Sequence, residues 1–161
     1  MDYRRLLKEC KNYGDIFDLV KRAVRETLDK KRAGLMLYLG DFPLNIGAYY
    51  TLGSNGIVVN RRILDLVSKS AKSTTEVNSF LFTILLHEYL HSLDYINERE
   101  VRKLVYEITR ELFGSDHPTV HMALNPPLYR ISALEAQFAT SMSHELELVK
   151  DFERSNQSYI A

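Results

Sequence analysis

A single cysteine, Cys10, stands in the 161 residues. That excludes an intrachain disulfide framework and favours a reducing, cytoplasmic setting. Tryptophan is absent, and four prolines and seven glycines are too few for a linker-rich or low-complexity chain. An excess of one charge is lacking too: 21 basic side chains face 21 acidic ones. No net field therefore argues for nucleic acid or an anionic membrane as partner. Lys30-Lys31-Arg32 is a small basic cluster that reads as the solvated end of a helix. The longest apolar run, residues 80 to 86, is interrupted by Thr83 and is far too short to cross a bilayer. Met1-Asp2-Tyr3-Arg4-Arg5 lacks the apolar stretch of a signal peptide. What remains is an ordinary soluble composition, 45% hydrophobic and 26% charged. The length suits one domain over residues 1–161, with a helical N-terminal segment (1–33) and an extended polar tail (154–161).

In chain order, residues 2 to 13 read as a short polar helix ended by Gly14, with Asp15 capping the next. Ile16, Leu19, Val20, Ala23, Val24 and Leu28 then recur at helical spacing. Leu35 to Leu39 reads as a buried strand and Ile46 to Leu52 as a second. Asn55-Gly56 marks a hairpin into a third, Ile57-Val58-Val59. These predict a small antiparallel sheet of about three strands packed on helices, an α+β fold. An edge strand of such a sheet can pair with an extended peptide. Asn60 caps a helix over residues 61 to 70, and Ser73-Thr74-Thr75-Glu76 has capping-box spacing. Asn97-Glu98-Arg99-Glu100 signals another start, for a helix that Gly114 stops. Residues 115 to 127 read as a loop and residues 129 to 142 as moderately helical, while Glu145 to Leu148 alternates as a strand does, a helix fitting nearly as well.

The most informative stretch is Val77 to Tyr95, which contains His87-Glu88-Tyr89-Leu90-His91. Two histidines four apart share one helical face and can bind one zinc ion. Glu88 sits beside such an ion, placed to take a proton from its water and pass it to a leaving amine. The surroundings (Phe80, Leu81, Phe82, Ile84, Leu85, Leu86, Leu90, Leu93) are apolar, so the polar trio is costly to bury unless a metal satisfies it.

This H-E-x-x-H helix, preceded by a small sheet, resembles the zincin metallopeptidases. In size the chain is most similar to their minimal soluble archaeal type, the minigluzincins. The resemblance covers the order of elements over about residues 34 to 113, and it is tight in motif only at residues 87 to 91. It implies a zinc-dependent peptidase with one Zn2+, ligands His87 and His91, and Glu88 as the catalytic base. A catalytic zinc takes three protein ligands, so a third is needed. The metzincin pattern would place a glycine and a ligand where this chain has Asp94 and Asn97, and Asn97 is better explained as a cap. His117, beside Asp116 and stiffened by Pro118 in a loop long enough to return to the cleft, is taken as the third ligand. Glu135, which loosely resembles the glutamate helix of that clan, follows it, then His121, with Glu98, Glu107 and Glu111 behind. Asp94 offers either a carboxylate that orients an imidazole or a plain surface charge. The expected partner is a peptide or protein substrate. The alternative is a zinc-holding regulatory or protein-binding module of the same fold with little or no proteolysis. By analogy with latent minimal zincins, Ser155 to Ala161 is a candidate plug for the cleft.

Overall fold

The computed structural model describes residues 1–125 and 145–153. The order of elements is α1 (Tyr3–Glu9), α2 (Tyr13–Leu28), β1 (Met36–Gly40), β2 (Ala48–Tyr50), β3 (Gly56–Asn60), α3 (Arg61–Ser70), α4 (Thr74–Ser92), α5 (Glu98–Phe113), α6 (Pro118–Leu124) and β4 (Glu147–Leu148). The fold is α+β, with six helices and a four-stranded sheet among the described residues. No described helix is long and apolar enough to cross a membrane.

Most of the described elements pack on α4. Its apolar residues run around the whole circumference, so no face suits solvent. Phe80, Phe82, Leu85, Leu86, Tyr89 and Leu90 are buried to 2% exposure or less. Helices α1, α2, α5 and α6 and strands β2 and β3 surround it. Phe82 meets Phe113 of α5 edge-on at 5.1 Å, and Tyr89 meets Phe17 of α2 in the same way at 5.4 Å. The start of α4 is set by Ser73, whose hydroxyl accepts from the Glu76 amide, as the capping spacing predicts.

The sheet is mixed and not antiparallel. Its order is β2-β3-β1-β4, with β1 parallel to β3 and the pairs β2–β3 and β1–β4 antiparallel. The expected hairpin between β2 and β3 forms, but its turn is Leu52-Gly53, closed by the Ser54 amide on the Thr51 carbonyl with Gly53 at φ 82°. Gly56, expected at the tip, already begins β3. Parallel pairing of β1 with β3 instead depends on a connection that passes through β2, and no local signal encodes it. Leu37 and Leu39 beside Ile57 and Val59 face the helices. Tyr49 and Val58 face outward under Phe42 and Ile46. Asn60 pins that outer loop: its amide donates to the carbonyls of Phe42, Pro43 and Ile46, while its Oδ1 caps α3 at the Arg62 amide.

Two boundaries also differ from the sequence expectation. Helix α2 begins at Tyr13, not after Gly14, because Asn12 accepts from the Asp15 amide while Asp15 accepts from Lys11. Two capped amides make a stronger start than Asp15 alone. The stretch expected as a loop after Gly114 contains α6, with His117 as N-cap and Pro118 in the first turn, where proline is favoured. The expected helix at 129–142, with Glu135, and the tail 154–161 lie outside the described residues.

Candidate metal centre

The last two turns of α4 carry His87, Glu88 and His91. Their ligand atoms lie within 4.8 Å of one another, a grouping that can hold a metal ion. After Ser92 the chain reverses sharply. The amides of Asp94 and Tyr95 donate to the carbonyls of His91 and Leu90, and Asp94 takes a left-handed φ of 74°. Asn97 then caps α5 by accepting from the Glu100 amide. This short reversal returns the first residue of α5, Glu98, to the face of α4 that carries the histidines.

There one oxygen of Glu98 meets both rings. Its Oε1 lies 2.9 Å from His87 Nε2 and 2.8 Å from His91 Nε2. The other ring nitrogen of His91, Nδ1, lies 2.8 Å from the Tyr95 carbonyl. A carbonyl only accepts, so Nδ1 carries a proton and Nε2 is the nitrogen available to a metal. Both Nε2 atoms stand at hydrogen-bonding distance from that one oxygen, an arrangement that ring N–H donors or a cation would satisfy. Ligands about 2.0–2.1 Å from a tetrahedral zinc lie about 3.3 Å apart. Each Oε1–Nε2 separation thus needs to open by only about half an ångström, and two imidazoles with a carboxylate are donors that suit the ion.

The electrostatics of the cluster agree. Burial pushes the Glu98 carboxyl up, but the hydrogen bonds and charges of His87 and His91 outweigh it and hold Glu98 well below the usual carboxylate range. Burial pulls the His91 imidazole down, and Glu98, with Glu88 and the Tyr95 carbonyl, raises it above its ordinary value. Arg102 approaches the second Glu98 oxygen at 3.5 Å. Glu88 is 6% exposed, and burial drives its carboxyl upward against the pull of His87 and His91. Its carboxylate lies within 4.8 Å of a ring nitrogen of each histidine.

His117 is not brought to this cluster, which corrects its expected role as third ligand. It stacks on Phe113 at 4.7 Å, at the far end of the 16-residue α5. At a rise of about 1.5 Å per residue, Glu98 and Phe113 are about 22 Å apart. His117 Nδ1 accepts from the Thr119 amide and lies 2.9 Å from the Thr119 hydroxyl, so the residue is a helix cap. Gly114, at φ 91°, ends α5 where a Cβ would meet the Arg4 guanidinium at 2.6 Å, and Arg4 bridges to Asp116. His121 is exposed on α6, and Glu107 and Glu111 are exposed on α5, with Glu107 near Lys103. The orienting role considered for Asp94 falls to the Tyr95 carbonyl.

Burial, with help from Arg4, lowers the His117 pKa from 6.5 to about 4. Protonation would also remove the Nδ1 lone pair that caps α6. A folded-state pKa below the unfolded one means the unfolded chain binds more protons between those values. The contribution is therefore complete above about pH 6.5 and is lost as pH falls towards 4. Urea titrations at pH 7 and 4.5 should show the wild type losing about 2 kcal/mol more than His117→Asn, which keeps a capping side chain but does not titrate. Equal losses would show that His117 is not buried as a neutral cap.

Comparison with known proteins returns nothing: no family model, no curated protein and no solved structure matches the chain.

Proposed function

We propose that the chain is a zinc-dependent peptidase of zincin type, with His87, His91 and Glu98 as ligands and Glu88 as the catalytic base. The observation that carries this reading is the meeting of both Nε2 atoms with one Glu98 oxygen beside a buried carboxylate. When bound, zinc supplies a Lewis acid for a carbonyl oxygen and lowers the pKa of a water molecule. The Glu88 carboxylate accepts the proton of the attacking water and delivers it to the leaving amide nitrogen. Burial raises its pKa, which suits a group that must both take and give a proton near neutrality. Glu98 neutralises charge among the ligands, and the Tyr95 carbonyl keeps the His91 ring turned towards the site.

Substrate alignment is assigned to β2. It is the edge strand next to β3 and packs against α4, so an extended peptide has a ladder to join beside the metal helix. Zinc is the ion proposed because two imidazoles with a carboxylate, on an H-E-x-x-H helix, make the donor set of hydrolytic zinc sites. A cytoplasmic setting, suggested by the lone Cys10, and a protein or peptide substrate belong to the same proposal.

A second reading is a zinc-holding module of this fold that binds a protein partner without cleaving it. It is favoured by the burial of Glu88, which narrows the approach of a substrate. A pool of internally quenched peptides, incubated with the zinc-loaded chain, separates the two. Cleavage that a chelator removes and zinc restores supports the peptidase. One zinc per chain with no cleavage favours the binding module.

A further inference from the structure

Arg32 lies in the linker between α2 and β1, and it joins three parts of the molecule. Its backbone amide donates to the Tyr89 hydroxyl at 2.9 Å. Its guanidinium donates to the Tyr50 hydroxyl at 2.9 Å, the Ser92 carbonyl at 2.8 Å and the Ser54 carbonyl at 2.8 Å. Tyr50 closes the network by donating to the same Ser54 carbonyl at 2.7 Å. Tyr89 and Ser92 directly follow Glu88 and His91 on α4. Tyr50 is the last residue of β2, and Ser54 belongs to the turn that follows it.

We propose that Arg32 is a positioning residue that holds the edge strand β2 at a fixed offset from Glu88 and the histidines. The proposal rests on the peptidase reading, in which β2 aligns the substrate. Strand β2 has three residues and a ladder on one side only, so its pairing with β3 is a weak restraint on its free end. The planar guanidinium fork reaches the strand, its turn and the Ser92 carbonyl at the end of α4 together, a geometry that a lysine ammonium cannot reproduce. The Ser92 carbonyl belongs to the last turn of α4, where a cation is favoured. Arg32 touches neither the ligands nor the reacting atoms. Its loss should therefore loosen the strand and leave the metal site in place.

The test is hydrogen exchange and peptide kinetics on the zinc-loaded full chain, comparing wild type, Arg32→Ala and Tyr50→Phe. In Arg32→Ala the amides of residues 48–56 should exchange more than about tenfold faster, with α4 unchanged and one zinc per chain retained. For internally quenched peptides cleaved by the wild type, KM should rise about tenfold and kcat stay within about threefold, because the strand must now be ordered on binding. Tyr50→Phe, which removes one arm and keeps the ring, should move both readouts the same way by less. Should Arg32→Ala not fold, Tyr50→Phe decides. Unchanged exchange at 48–56 overturns the proposal, as does a fall in kcat at constant KM. A wild type that cleaves no peptide refutes the peptidase reading, and the exchange result then decides the strand-holding role alone.

Discussion

Glu88→Gln is expected to lower peptide hydrolysis by at least about a thousandfold while the chain still binds one zinc. The amide has the shape of the carboxyl it replaces and fits the same buried position, so neither fold nor metal site is disturbed. What it cannot do is accept a proton from water and release it to the leaving nitrogen. The loss should fall on kcat, with KM little changed, since no ground-state contact is removed. Peptide kinetics together with metal analysis of the purified variant check both halves. The pairing also settles a structural ambiguity, because Glu88 lies within ligand distance of both histidines. If Glu88 were a ligand, zinc content would fall with activity. Full activity in zinc-replete Glu88→Gln would exclude the mechanism.

The second large effect concerns the third ligand. Glu98→Ala should weaken zinc binding by more than about a hundredfold, because even residues that only orient a ligand cost ten- to a hundredfold when lost. Glu98 is half-exposed at the first position of α5, and its loss removes little packing, so the variant should fold. His117→Asn should bind zinc as the wild type does, because it alters a cap about 20 Å away along α5. Competition titrations against a chromogenic chelator at pH 7 give both affinities. Zinc must also displace protons from the imidazoles. Glu98 raises His91 above its usual value, so the apparent affinity should climb with pH through the neutral range. Equal affinities for Glu98→Ala and wild type would remove Glu98 from the site.

The helices were legible wherever a cap and an apolar stripe coincided. Ser73, Asn60 and Asn97 each accept from the amide their spacing predicts, and the H-E-x-x-H pair sits on a buried helix as its context requires. Strand partners were less legible, because alternation shows that a strand exists and says little about its neighbour. Glu98 was obscured by its own position. An acidic residue in the first turn of a helix is expected for the macrodipole alone, and only the reversal at Asp94 shows that this turn folds back onto the histidines. His117 misled for the opposite reason. A histidine between glycine and proline reads as loop, yet its ring stacks on Phe113 and its Nδ1 caps a seven-residue helix. Proline at the first position of α6 was the available signal.

The most direct measurement is an anomalous difference map at the zinc edge, collected from crystals of the zinc-loaded chain. It should show one strong peak about 2.0–2.2 Å from His87 Nε2, His91 Nε2 and a Glu98 carboxylate oxygen, with Glu88 beside it and not bound. No peak between those three residues under zinc-rich conditions, or a peak bound elsewhere in the chain, would contradict the proposed centre.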